Sequence, residues 1–537
     1  MKYNINMKLK TLNKLPFIIV MCVAVIATSC KKNLTPEGQL TTASVYKDFN
    51  NYKPVLAKLY TAFALSGQQG PAGNPDVAGI DEGFSNYLRE LFNMQELTTD
   101  EAQIVWNDGT VHNLHDMTWN SQNEFIRAMY DRIFYEIALD NEFIRQTTDA
   151  QLSKNGITGN NLVLAKQYRA EARFLRALAY YHAIDLYGSV PFVTENDEVG
   201  VFFPKQKSRA ELFAYVESEL KAIDGDLGNP RFEYGRADKA AAWTLLAKLY
   251  LNAQVYTGTG HYTEAVTYAS KVIAAGYTLE PNFKNLFLAD NNTSNEIIFP
   301  IESDGTHTQG YGGMTYLIHA SVGGKMDPAA FGINGGWAGL RTTPQYVSLF
   351  SDVTGNTDKR ALFFTDGQNL DINDEYTFTD GYAIQKFRNV TSAGVKGSDA
   401  TGNFPDTDFP MFRLADVYLI YAEAVLRGGA GGDPATALSY VNKVRTRAYA
   451  GSTAGNITQG ELTLPFMLNE RGRELLFEMQ RRTDLIRFGK FTGDSYLWQW
   501  KGGVKGGTSV SSNLNIMPIP STDIINNPTL VQNPGYK

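Results

Sequence analysis

The chain has 537 residues, 43% of them hydrophobic and 20% charged, with a formal net charge of −7. A chain of this length buries a sizeable core without cross-links, and its two cysteines, Cys22 and Cys30, cannot build a disulfide framework. An acidic balance without basic runs excludes nucleic acid as a partner and excludes attraction to anionic lipid.

The N-terminus carries Lys2, Lys8, Lys10 and Lys14 with no acid, then an apolar run from Leu15 to Ala27, then Ala27-Thr28-Ser29 before Cys30. That order of a positive region, an apolar region and small residues marks a secretory signal peptide over 1–29. The run is too short for a spanning helix, which needs about 20 residues. A cysteine directly after the small residues looks like the acceptor of a bacterial lipoprotein signal. Cys30 is therefore the expected lipidation site, and the membrane is reached through a lipid anchor alone. Ala27 stands where a strict lipoprotein box has Leu. Removal of 1–29 takes away four lysines and leaves −11. A flexible tether is expected over 30–42, followed by a single domain over 43–537.

Helical periodicity then predicts helices over 43–65, 122–146, 171–187, 209–223, 239–253, 263–275, 414–426, 434–448 and 465–487. Along 171–187, Ala172, Leu175, Ala179, His182 and Leu186 share one face. Gly188 and Pro191 follow it as stop signals. Asp238 is the expected N-cap of the 239–253 helix. Trp243, Leu246, Ala247 and Tyr250 pair with Tyr262, Ala265, Ala269 and Val272. Tyr418, Tyr421, Ala422 and Val425 pair in the same way with Ala437, Tyr440, Val441 and Val444. Large residues alternating with alanine resemble degenerate tetratricopeptide helix pairs, which stack into one continuous core. Two Gly-, Asn- and aromatic-rich segments, 67–120 and 276–410, read as irregular insertions covering one side of this mainly α scaffold. They carry short strands near 296–301 and 382–387.

Six stretches in order resemble the SusD/RagB nutrient-binding lipoproteins of Bacteroidota. They are ELTTDE from Glu96; EARFLRALAYYHAIDLYGSVP from Glu171; GRADKAAAWTLLAKLYL from Gly235; FRLADVYLIYAEA from Phe412; NERGRELLFEMQRRTDLIRFG from Asn469; and MPIP from Met517 with QNPGY from Gln532. The resemblance implies a SusD-like fold. It also implies binding without turnover, an oligosaccharide ligand, and delivery to a SusC-like TonB-dependent outer-membrane transporter from the outer face of the outer membrane. Lys31-Lys32-Asn33 lacks acidic export residues, so the outward side rests on the resemblance. Other readings are a peptide ligand, as in the RagB branch, a hydrolase on the same scaffold, and a periplasm-facing scaffold that binds protein only.

Little in the sequence points to catalysis, although the abundant carboxylates leave a glycosidase pair open by count. No Gly-x-Ser-x-Gly elbow occurs, and the glycine runs 428–432 and 502–509 lack the Lys-Ser/Thr of a phosphate loop. No cofactor or metal is expected; His112 and His115 read as an exposed polar pair without a third ligand. In 470–489 the alternating charges read as ion pairs, with Arg471, Arg482 and Asp484 reaching neighbouring helices. Asp416 and Glu423 read as paired structural acids. Aromatic faces stack on sugar rings while polar groups bond their edges. The ligand-contact candidates are Phe84, Tyr87, Trp106 and Asn107 in the first insertion, and Tyr311, Tyr316, Trp337 and Arg341 in the second. Glycines around Trp337 are expected to leave it on a flexible, exposed loop tip.

Overall fold

The computed structural model describes residues 41–71 and 75–537. Cys30, the signal segment 1–29 and nearly all of the tether lie outside the described residues. No described helix is long and apolar enough to cross a membrane.

The helices begin where side chains can accept the free N–H groups of a first turn. Asn123 accepts from Phe125 and Ile126 N–H at 3.0 Å to start Glu124–Gln146. Ser208 and Glu211 form a capping box at Arg209–Ala222. Asp238 caps Lys239–Leu251 by accepting from Ala241 N–H at 3.0 Å, as expected. Asp433 caps Pro434–Ala448 with Pro at its first turn. The stacking order follows the chain. Glu124–Gln146 packs on Gly159–Leu186, which packs on Arg209–Ala222. Lys239–Leu251 then packs on Tyr262–Ile273, and that helix packs on Leu414–Leu426, which meets Pro434–Ala448. Ala240, Ala241, Ala247, Ala265, Ala269, Ala415, Ala422 and Ala437 are fully buried and let these axes approach closely.

Three predicted helices differ in extent. Gly159–Leu186 reaches further back than 171, through a polar stretch with an exposed face. The 43–65 span holds a short helix Thr42–Val45, a 3₁₀ turn Phe49–Asn51 and the helix Tyr52–Ala64. The 465–487 span is two helices, Leu464–Leu475 and Arg481–Arg487. Phe477 and Met479 adopt φ of 58° and 59° between them. Two buried acids take up the backbone at this break. Phe477 N–H donates to Glu101 and Gln480 N–H to Glu96, each at 3.0 Å.

The charged residues of this region interlock. Arg413 donates to Glu296 at 2.9 Å, Glu474 at 2.6 Å and Glu478 at 2.6 Å. Arg360 meets Asp358 at 2.7 Å and Glu470 at 2.8 Å. Arg471 bridges Asp416 at 2.9 Å and Asp484 at 2.7 Å, and Arg487 joins Glu423 to Asp484. Arg482 reaches Asp185 at 3.3 Å. The expected pairings of Arg471, Arg482, Asp484, Asp416 and Glu423 are all present.

The insertions contain ordered helices that periodicity did not single out, Tyr87–Gln95 and Gly313–Ala320. Among the described residues the strands form four two-stranded antiparallel ladders. Ile297–Ile301 pairs with Phe409–Arg413. A second ladder joins the insertions, Gln103 opposite Arg341 and Ile104 opposite Leu340.

Burial pushes the Glu423 carboxyl up, but Arg487, Arg427 and Arg471 outweigh it and hold the group at about 2, against 4.5 ordinarily. A depressed folded value makes its stabilisation complete above pH about 4.5 and lost as pH falls toward 2. Glu423→Gln is expected to destabilise the protein by about 3–5 kcal/mol at pH 7, because it breaks a buried pair. In urea unfolding, the gap between wild type and variant should narrow at pH 3.

Candidate functional site

Trp106 lies two residues past the strand Gln103–Ile104, and Trp337 closely precedes its partner strand Leu340–Arg341. The ladder continues as Val105 N–H donating to Gly339 O at 2.9 Å. The Trp106 indole Nε1–H then donates to the Trp337 carbonyl at 3.1 Å. The two indoles lie 6.3 Å apart at 47°. Tyr311 stands 6.5 Å from Trp337 at 53°. Phe84 packs at 4.8 Å on Phe125, the second residue of Glu124–Gln146. These rings border one cleft of about 620 Å³, lined also by Asp81, Arg89, Asp108 and Glu124.

The Trp337 loop is not a flexible tip. Trp337 N–H donates to His319 O at 2.7 Å, Ala338 N–H to Val322 O at 2.9 Å, and Gly339 N–H to Ala320 O at 2.8 Å. The His319 ring stacks on the indole at 4.7 Å and 26°. The ring sits between two carbonyls, of Gly335, 2.6 Å from Nδ1, and of Asn403, 2.9 Å from Nε2, and donates to one of them. The glycines permit close approach instead of motion. A Cβ on Gly336 would sit 2.1 Å from Val322 O, and one on Gly339 would sit 2.6 Å from the Trp106 ring.

Four of the eight expected contact residues, Phe84, Trp106, Tyr311 and Trp337, therefore line one cleft. Asn107 is exposed beside it but is not among the lining residues. Three others are buried and are corrected to supporting roles. Tyr87 has no exposed surface, and its hydroxyl bonds His182 Nδ1 at 2.8 Å. Tyr316 is 1% exposed, bonds Asn93 at 3.1 Å and meets Trp106 edge-on at 6.0 Å. Arg341 is fully buried and donates to the carbonyls of Asp380 and Glu375.

Arg89 was missed. Its guanidinium lies over the Tyr316 ring at 4.4 Å and 5.9 Å from the Trp106 ring, and donates to Gly83 O at 3.0 Å. Asn86 capping an apolar run of Leu88, Leu91 and Phe92 was the available signal for its helix. His112 and His115 are also corrected. Both are buried, not exposed, and Asp116 and Glu375 join them.

Asp81 and Glu124 are engaged by backbone N–H groups, of Gly83 at 2.8 Å and Thr110 at 3.1 Å. Burial pushes the nearby Glu90 carboxyl up to about 8, but the group has no exposed surface and lies against Asn93. A general acid must reach the atom it protonates, and Glu90 does not reach the cleft. A larger concavity of about 870 Å³ lies along Tyr277, Pro281, Tyr418, Leu438 and Arg447. Its Tyr418 ring is already stacked on Tyr440 at 4.6 Å, so that face is not free.

Stacked helix pairs that present a rigid, concave row of aromatic rings define a binding scaffold. The SusD family model matches residues 246–536. The starch-binding protein SusD of Bacteroides thetaiotaomicron is 38% identical over 535 residues, covering 90% of this chain and 92% of that protein. A SusD-like protein of Bacteroides ovatus is 22% identical, covering 91% of this chain and 86% of its own length. The solved surface glycan-binding protein A from Bacteroides fluxus shares the fold, with a TM-score of 0.70 at 21% identity over 91% of this chain and 99% of that one. The chain belongs to the SusD family.

Gly339→Ala is expected to leave the fold intact, since this glycine does not need a left-handed backbone. It should displace the Trp106 indole, seen as an altered near-ultraviolet circular dichroism spectrum with an unchanged far-ultraviolet one.

Proposed function

We propose that the protein captures an oligosaccharide of the starch type without cleaving it. In this reading it is tethered by lipid on Cys30 to the outer membrane, faces outward, and passes the glycan to a SusC-like TonB-dependent transporter. The observation that carries the reading is the cleft of Phe84, Trp106, Tyr311 and Trp337 with Arg89 at its wall. Ring faces offer apolar contact to sugar faces, and the Arg89 and Asp108 side chains offer polar contact to hydroxyl edges. Tilts of 47° and 53° between successive rings favour a curved chain over a straight, flat one. The 38% identity to a protein named for starch binding supports the same class. Non-catalytic action is supported by the engagement of Asp81 and Glu124 in loop hydrogen bonds and by the burial of Glu90.

Calorimetric titration is expected to show maltooligosaccharide binding, weaker binding of straight β-1,4-glucan oligomers, and no cleavage on chromatography. Trp337→Ala and Trp106→Ala should each weaken binding at least tenfold, about 1.4 kcal/mol, with little change in Tm. Binding of peptides alone, or release of shorter sugars, would overturn the reading. Cys30→Ser is expected to abolish fatty-acid labelling and to move the protein out of the membrane fraction.

A further inference from the structure

A second cluster lies outside the aromatic cleft. His112 and His115 face the same way from a four-residue helix, His112–His115, with Asp116 next in the chain. Glu375 arrives from the second insertion. His115 Nε2 is 2.9 Å from Glu375 Oε1 and 3.3 Å from Asp116 Oδ1. One ligand atom from each of the four residues lies within 4.8 Å of the others.

The hydrogen-bond accounting does not close with protein atoms alone. His115 has no exposed surface, and a single Nε2 faces two carboxylates. One imidazole nitrogen carries at most one proton, and Asp116 Oδ1 is left buried with no hydrogen-bond partner. His115 Nδ1 is likewise buried and unpartnered. A divalent cation between these groups would satisfy both carboxylates at once.

We propose that His112, His115, Asp116 and Glu375 form a four-coordinate site for a divalent transition-metal ion of the zinc class. Two imidazoles with two carboxylates match zinc and its neighbours better than calcium or magnesium, which prefer all-oxygen shells. Ligand atoms at opposite corners of a zinc tetrahedron stand about 3.4 Å apart. The 3.3 Å separation of His115 Nε2 from Asp116 Oδ1 already has that span. The remaining ligand atoms lie within 4.8 Å of one another, wider than a bound tetrahedron, so a bound ion would draw them together.

The surroundings are those of a supported site. His112 Nε2 lies 3.4 Å from the Val105 carbonyl; a proton on Nε2 leaves Nδ1 as the nitrogen with a free lone pair. Tyr376 stacks on the His112 ring at 4.7 Å and 23°. Arg341 donates to the carbonyl of Glu375 at 2.5 Å, which fixes the loop that supplies the fourth ligand. Tyr376 is 55% exposed, so the cluster lies close to solvent and an ion has a way in. The ion would clamp the 374–380 loop to the short helix that follows Trp106. It would be structural and would touch no ligand, so its test is independent of the glycan reading.

The test uses purified protein without a polyhistidine tag, stripped with chelator and titrated with cobalt(II), zinc, calcium and magnesium salts. One equivalent of cobalt is expected to produce the visible absorption of a four-coordinate N/O site. Zinc should displace it and raise Tm by several degrees. Glu375→Gln and His112→Gln should each lose the cobalt spectrum and weaken zinc binding at least tenfold. Their Tm in chelator should match that of stripped wild type. His307→Gln, at an exposed histidine elsewhere, should keep both signals. No cobalt spectrum in wild type, an unchanged spectrum in both ligand variants, or a Tm rise with calcium or magnesium alone would overturn the proposal.

Discussion

Asp100 ties the scaffold to the cleft. Its carboxylate accepts from Arg481 at 2.7 and 2.8 Å and from the Tyr496 hydroxyl at 2.6 Å. Its carbonyl accepts from the Thr343 hydroxyl at 2.7 Å. Arg481 opens the last helix of the split pair, Thr343 follows the strand Leu340–Arg341, and Asp100 itself precedes the strand Gln103–Ile104. One buried residue thus holds the final charged helix through its carboxylate and the exit of the Trp337 loop through its carbonyl, at the origin of the Trp106 loop. The two indoles meet because the strands that carry them are fixed at this point.

A buried ion pair is weak evidence for stability, since desolvation offsets much of the attraction. Its value here is positional. Arg413, Arg360, Arg471 and Arg487 each meet two or more carboxylates, and each is buried or nearly so. Most alternative packings would leave such a charge unpaired at a cost of several kcal/mol, which penalises every arrangement but one. The helix break belongs to the same logic. Burial pushes the Glu101 carboxyl up to about 8 despite Arg481, and its neighbour Glu96 is raised as well. Both still accept N–H groups from 477–480, so the helix gives up regular hydrogen bonds for carboxylate ones.

The helical scaffold was legible in the sequence because its signals are local. Caps such as Asp238, alanine stripes such as Ala265 and Ala269, and the alternating charges of 470–489 all act within a turn or two. The break between Leu475 and Arg481 was not legible, because its cause lies at Glu96 and Glu101, far away in sequence. The same distance hid the true surroundings of His115, whose partner Glu375 is in the other insertion. In the cleft, Trp106, Trp337, Tyr311 and Phe84 were found from composition and loop context. Tyr87, Tyr316 and Arg341 looked equivalent on that basis, and only the pairing of the strands shows which side chains turn inward. Arg89 escaped because its helix lies in a segment read as irregular.

The glycines around Trp337 show why context of this kind misleads about dynamics. A glycine permits motion, but it equally permits contact that no Cβ would allow. At Gly336 and Gly339 the second use applies, with Val322 O and the Trp106 ring in the space a side chain would take. Three consecutive backbone N–H groups, of Trp337, Ala338 and Gly339, are bonded to the carbonyls of His319, Val322 and Ala320, at and just past the end of the Gly313–Ala320 helix. The indole is thereby held in place before any ligand arrives. Ordering a mobile aromatic on binding costs about 0.5–1.5 kcal/mol per side chain, a loss that these rings have already met during folding. In the proposed glycan-binding role such a cleft would trade adaptability for affinity per contact, and its selectivity would follow from the fixed tilt of Trp106, Trp337 and Tyr311 relative to one another.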